Sequence, residues 1–173
     1  MKYSFMSFST PDKTFAEMLA IANQYGYDGI EPRIDANHGH GLEVSLGGGQ
    51  RLSYRQKAAD AGVSLACIAT SLKFVDPDTE QTVSRAIERI DLAADMGVPN
   101  LRVFGGKLPE GLSREAAVER CASTLDAVAE HAREAGVTLC FETHDDWCNP
   151  RDVAAVLQTV DKPAIACNWD IQH

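Results

Sequence analysis

The residues with chemical reach fall in short clusters at regular intervals. The segment Val137-Thr138-Leu139-Cys140-Phe141-Glu142-Thr143-His144 alternates like a strand, so Cys140, Glu142 and His144 share one face. Asn168 and Asp170 share a face by the same rule. Neighbouring parallel strands lie about 4.8 Å apart. If Glu142 and Asp170 point inward at one level, their carboxylates can meet one cation. Hard oxygen donors suit Mg, Mn or Co, and Zn if a histidine joins. Without a cation the two acids repel and one holds a proton. The alternative is that either acid is a solvated loop residue or pairs with Arg102.

Further candidates precede these. His38 and His40 sit in the glycine-broken loop Asn37-His38-Gly39-His40-Gly41, as substrate contacts or as exposed loop residues. Arg102 within a strand is costly to bury unpaired, so it binds an anionic or hydroxylated substrate or pairs with Glu31 or Glu142. Lys107 follows Gly105-Gly106 and either touches an anion or lies on the surface. Trp147 and Trp169 wall a pocket or pack, and His144 reaches the pocket or supports a ligand from behind. Gly47-Gly48-Gly49 lacks the Lys-Ser/Thr pair of a P-loop and reads as a flexible loop.

The elements that must position these residues alternate. Strands are expected at 3–7, 29–34, 64–69, 100–104, 138–142 and 164–170, with helices at 14–25, 52–61, 78–96, 113–135 and 150–160. Gly26, Gly62, Gly97 and Gly136 each follow a helix and precede a strand, where a left-handed cap is needed. Repeated βα units with apolar strands imply a parallel sheet covered by helices. No GxGxxG follows the first strand, which argues against a dinucleotide fold. Nearly every strand ends in reactive side chains, and a (β/α)8 TIM-type barrel gathers such ends around one mouth. The spacing gives about six βα units, so the expectation is a single, incomplete barrel domain over residues 1–173. Open parallel edges would remain unless the native chain continues, a partner such as a second copy in a homo-oligomer covers them, or the fold is an open sheet.

Composition narrows the class. The chain has 173 residues with 16 basic and 25 acidic side chains, a formal charge of −9, and is 45% hydrophobic. That is ordinary globular composition and argues against nucleic-acid binding. No run approaches the ~18 apolar residues of a membrane span. No secretory leader is read at the start, and Cys67, Cys121, Cys140, Cys148 and Cys167 form no CxxC pair. They read as reduced core residues, and a cytoplasmic location is expected.

The motifs Gly26-Tyr27-Asp28-Gly29-Ile30-Glu31, Arg102-Val103-Phe104-Gly105-Gly106, Phe141-Glu142-Thr143-His144-Asp145-Asp146-Trp147 and Asn168-Trp169-Asp170-Ile171-Gln172-His173 follow one another at βα spacing. Together they resemble the xylose isomerase-like TIM-barrel superfamily, which includes sugar isomerases and epimerases, inosose dehydratase and endonuclease IV. The resemblance covers the whole chain. It implies a divalent metal (Mn, Mg, Co or Zn) with Glu142 and Asp170 as two of four ligands, and His173 as a substrate contact. The other two ligands, a His and a Glu from strands seven and eight, have no counterpart here. The implied reaction is proton abstraction from a small polyhydroxy carbonyl substrate through an enediolate, with Glu142 as base. A dehydratase of an inosose-like ketone and a non-catalytic barrel fragment stabilised by oligomerisation are the alternatives.

Overall fold

The computed structural model describes residues 1–172. The chain divides into two compact units: Met1–Ser71 with Asp91–Leu101, and Leu72–Ile90 with the chain from Arg102 onward. Each is built from the expected alternation of strand and helix.

The first unit carries β1 (Ser4–Met6), α1 (Phe15–Tyr25), β2 (Gly29–Glu31), α2 (Gly48–Asp60) and β3 (Ser64–Leu65). The three strands form one parallel sheet in that order, with Phe5 opposite Ile30 and Ile30 opposite Leu65. Helix α1 starts at a capping box. The Thr14 hydroxyl accepts from the Glu17 N–H, and the Glu17 carboxylate accepts from the Thr14 N–H. It ends at Gly26, whose φ of 72° is the left-handed conformation expected of it. Gly62, Gly97 and Gly136 have φ between 66° and 69° for the same reason.

β4 (Ile68–Lys73), α3 (Thr79–Met96) and β5 (Asn100–Phe104) follow, and then α4 (Arg114–Ala135), β6 (Thr138–Glu142), α5 (Pro150–Val160) and β7 (Ile165–Asn168). Strands β4 to β7 form a second sheet in sequence order. β6 and β7 are parallel, with Glu142 opposite Asn168. Ser113 caps α4 by accepting the Ala116 N–H, and Asn149 with Pro150 starts α5 as the sequence suggests.

Several expectations are corrected. The second strand ends at Glu31 rather than 34. The third strand is broken into β3 and β4. The Ala66 N–H still bonds to the Ile30 carbonyl, but the Asn100 amide takes the Ala66 carbonyl in place of a strand neighbour. Gly47-Gly48-Gly49 is not a loose loop; it opens α2, with the Gly47 N–H donating to the Gln50 side chain. The last strand ends at Asn168 rather than 170. The cysteines are free, yet only Cys121 is a core residue; Cys67, Cys140 and Cys148 are half-buried and Cys167 is exposed. Burial pushes the Cys121 thiol up to about 12 and that of Cys140 to about 11.

One contact in the second unit fixes the loop after β6. Trp147 is fully buried, edge-on to Phe141 at 5.4 Å, and its Nε1–H donates to the Gly106 carbonyl at 2.8 Å. Its indole lies against Gly105 so closely that a Cβ there would collide with the ring. The glycine pair after β5 is therefore a notch for Trp147. Trp147→Ala should lower unfolding stability by about 3–5 kcal/mol, read from the urea midpoint; a loss well under 1 kcal/mol would mean the indole does not anchor this loop.

Candidate active site

Glu142 is the last residue of β6 and is only 6% exposed. Its position follows from strand alternation: Leu139 and Phe141 are buried on the opposite face, so Glu142 turns to the other side. Asn168, its register partner, donates its side-chain amide to Oε1 at 2.8 Å. Arg102, in the middle of β5 and equally buried, places Nε 3.7 Å from Oε2. The guanidinium is braced by the Phe104 ring, 4.0 Å from its centre. His144 packs edge-on against the same ring at 4.9 Å.

Burial is the dominant influence on Glu142 and pushes its carboxyl up. Arg102, His144 and the Asn168 amide pull it down, and the charge of Asp170 pushes it up further. Desolvation wins over the paired cation, as expected where the pair is not in full contact. The two acids therefore sense each other. Asp170 is tied down by Thr143, whose Oγ1 accepts the Asp170 N–H at 2.8 Å, and its Oδ1 accepts the Gln172 N–H.

His144 Nδ1 lies 3.1 Å from the Asp145 carboxylate, and Asp145 is held at a φ of 51°. Asp146 accepts the Leu108 N–H at 2.7 Å, joining the loops after β5 and β6. Glu142, Arg102 and His144 are thus assembled within one unit, with Asp170 near enough to act on Glu142 electrostatically.

Other candidates are placed elsewhere. Trp147 is enclosed in packing and does not wall a pocket, while Trp169 is 75% exposed. Lys107 is a surface lysine. His40 is buried, and both ring nitrogens are occupied by the backbone: Nδ1 accepts the Leu42 N–H, so Nε2–H donates to the Arg33 carbonyl. Burial pushes its pKa down. It holds its loop and offers no ring nitrogen to a ligand. His38 is half-buried and bonded to Ser7. His173 lies outside the described residues. Asn168 and Thr143 are the contributors that spacing alone did not single out; Asn168 shares the parity of Asp170, and that was its only signal.

The described residues hold no cluster of three or more His, Cys, Asp or Glu side chains arranged for a metal. Glu142 and Asp170 offer oxygen donors of the kind Mg or Mn takes, with Glu142 Oε1 engaged by the Asn168 amide and Oε2 beside Arg102. No helix among the described residues is long and apolar enough to cross a membrane.

A sequence profile of the family described as Xylose isomerase-like TIM barrel matches residues 19–173. The fold matches a D-psicose 3-epimerase solved in the presence of D-fructose (TM-score 0.81, 15% identity, 98% of this chain and 63% of that one). It matches the probable 3-DHS dehydratase AsbF from Bacillus anthracis (TM-score 0.79, 20% identity, 98% and 63%). It also matches a xylose isomerase-like TIM barrel protein from Mycobacterium smegmatis in complex with magnesium (TM-score 0.71, 21% identity, 96% and 63%). The chain thus spans a little under two thirds of the length of these structures. No curated protein matches it in sequence.

The raised carboxyl of Glu142 has a pH signature. Its protonated form is favoured by folding, so ionisation costs stability as pH rises from the ordinary 4.5 through the raised value. In metal-free buffer, Glu142→Gln should therefore melt higher than wild type at pH 7, and the gap should close as pH falls to about 4.5. A lower Tm for the variant at pH 7 would mean that the Arg102 attraction outweighs burial.

Proposed function

Because the chain belongs to the xylose isomerase-like TIM barrel family, we propose that it contributes to a metal-dependent isomerase or epimerase acting on a small polyhydroxy carbonyl compound. The observation that carries this reading is the buried Glu142 carboxylate at the carboxyl end of a parallel strand, with Asp170 close enough to raise it. Strand carboxyl ends are where barrels of this type place their chemistry.

Glu142 and Asp170 would hold the divalent ion. When bound, such an ion supplies Lewis-acid polarisation of the substrate carbonyl. Glu142 takes the proton from the carbon next to that carbonyl, its carboxylate held out of water at the strand end. Arg102 and His144 donate to substrate oxygens on which negative charge develops as the enediolate forms. Asn168 keeps the Glu142 carboxylate oriented through Oε1. Reprotonation on the other face, or on the neighbouring carbon, gives the epimer or isomer.

A second reading keeps the proton abstraction and ends in loss of a β-hydroxyl. It is favoured by the buried Arg102 cation, which suits an anionic substrate, and by the likeness of fold to the probable 3-DHS dehydratase. A conjugated enone absorbs in the near ultraviolet, which separates the two outcomes.

The test is solvent-deuterium exchange into ketopentoses and ketohexoses with Mn or Mg present. Exchange should be measurable in wild type and fall by about 10²–10⁴-fold in Glu142→Gln, the usual worth of a positioned base. Neither exchange nor enone formation, with no thermal shift on adding either ion, would leave the chain a non-catalytic barrel fragment.

A further inference from the structure

We propose that Arg33, His38 and the Phe8 ring, at the carboxyl ends of β1 and β2, form a binding subsite for a small oxyanion, a phosphate or carboxylate group. This site lies wholly in the first unit and does not rest on Glu142.

The case begins with Ser7, which is fully buried. Its Oγ accepts the Arg33 N–H at 2.8 Å and lies 2.9 Å from His38 Nδ1. A buried hydroxyl proton needs an acceptor, and His38 Nδ1 is the one in reach. Nδ1 is therefore unprotonated and Nε2 carries the hydrogen. Nε2–H has no protein acceptor among the described residues.

Arg33 presents the larger imbalance. Its Nε is buried with no hydrogen-bond partner, and the guanidinium makes no ion pair among the described residues. What it does have is the Phe8 ring, 5.6 Å from Cζ, and Phe8 is itself 65% exposed. The ring of His38 lies 6.3 Å from the same phenyl group.

The neighbouring acids are engaged elsewhere. Glu31 takes the Ser4 hydroxyl, the Glu43 carboxylate accepts the Asp35 N–H, and Asp35 accepts the Ser71 N–H. In the same unit Arg51 finds Asp95 at 2.9 Å. What sets Arg33 apart is that its Nε is buried and unpartnered among the described residues, so the charge is partly withdrawn from water without a carboxylate to meet it. A planar guanidinium with donors to spare, an imidazole N–H without an acceptor among the described residues and an exposed aromatic ring beside both match an oxyanion carried on a small organic body. Backbone strain sits beside the cluster, with Asp35 and Asn37 at φ of 63° and 53°. The loop holding His38 is thus fixed rather than loose, since such conformations persist only where the surroundings enforce them.

The test is titration of the isotope-labelled chain with inorganic phosphate, with acetate as a parallel arm, followed by NMR. The Arg33 Nε–H and His38 Nε2–H signals should shift saturably, and the tighter arm identifies the class of anion. Arg33→Met, which keeps the stem over Phe8 and removes the donors, should weaken binding at least tenfold, while Glu142→Gln leaves it unchanged. Equal binding in Arg33→Met, or shifts confined to other residues of the wild type, would overturn the proposal. If Arg33→Met does not fold, the wild-type signals decide alone.

Discussion

A carboxylate held out of water beside an arginine is the constraint around which the second unit is arranged. Glu142 and Arg102 are each at most 6% exposed, and burying either charge alone would cost several kcal/mol. At 3.7 Å their attraction returns only part of that cost, so the Glu142 carboxyl still sits above its ordinary value. The remaining neighbours read as compensation. The Asn168 amide satisfies Oε1, the Phe104 face receives the guanidinium, and His144 closes against the other side of the cluster. A fold under selection for stability alone would place apolar side chains there. A desolvated carboxylate kept beside a desolvated guanidinium at a strand end is the arrangement the proposed chemistry uses.

Holding that arrangement requires strand ends that do not drift. β6 and β7 are locked by register, and the chain immediately beyond is locked by side chains. Thr143 pins Asp170 through its backbone, Asp146 reaches across to Leu108, and Trp147 seals the loop against Gly105 and Gly106. The indole does two things at once. It fills the volume under the loop, and its N–H satisfies a carbonyl that β5 leaves behind. Only glycine at position 105 leaves room for it.

Much of this was legible in the amino-acid sequence, and the limits are physical. Apolar periodicity and the cap glycines mark α1, α3, α4 and α5 to within a residue, because both signals are local. The break between β3 and β4 was invisible, since it depends on Asn100, 34 positions away, taking the Ala66 carbonyl. The helical start at Gly47–Gly49 ran against propensity, and the Gln50 cap with the packing of α2 overrides it. Strand parity placed Glu142 and His144 on one face, and an Arg102–Glu142 pair was one of the alternatives left open. Parity could not foresee that Trp147 is consumed by packing or that His40 spends both nitrogens on backbone. Those outcomes depend on where distant loops come to rest.

The two arginines show how one strategy gives two results. Arg33 lies just beyond β2 and Arg102 within β5, and each rests on the ring of a phenylalanine. Parallel strands with helical crossovers leave the backbone ends pointing one way, so polar side chains collect at carboxyl ends, where the sheet no longer needs apolar cover. Arg102 is more deeply buried and has a carboxylate in reach. Its charge therefore acts on Glu142 as well as on what the site would bind. Arg33 is half-buried, its acidic neighbours are bonded elsewhere, and its charge remains available. Depth of burial and the presence of a partner acid decide whether a strand-end arginine acts on a neighbouring carboxyl or keeps its charge unpaired.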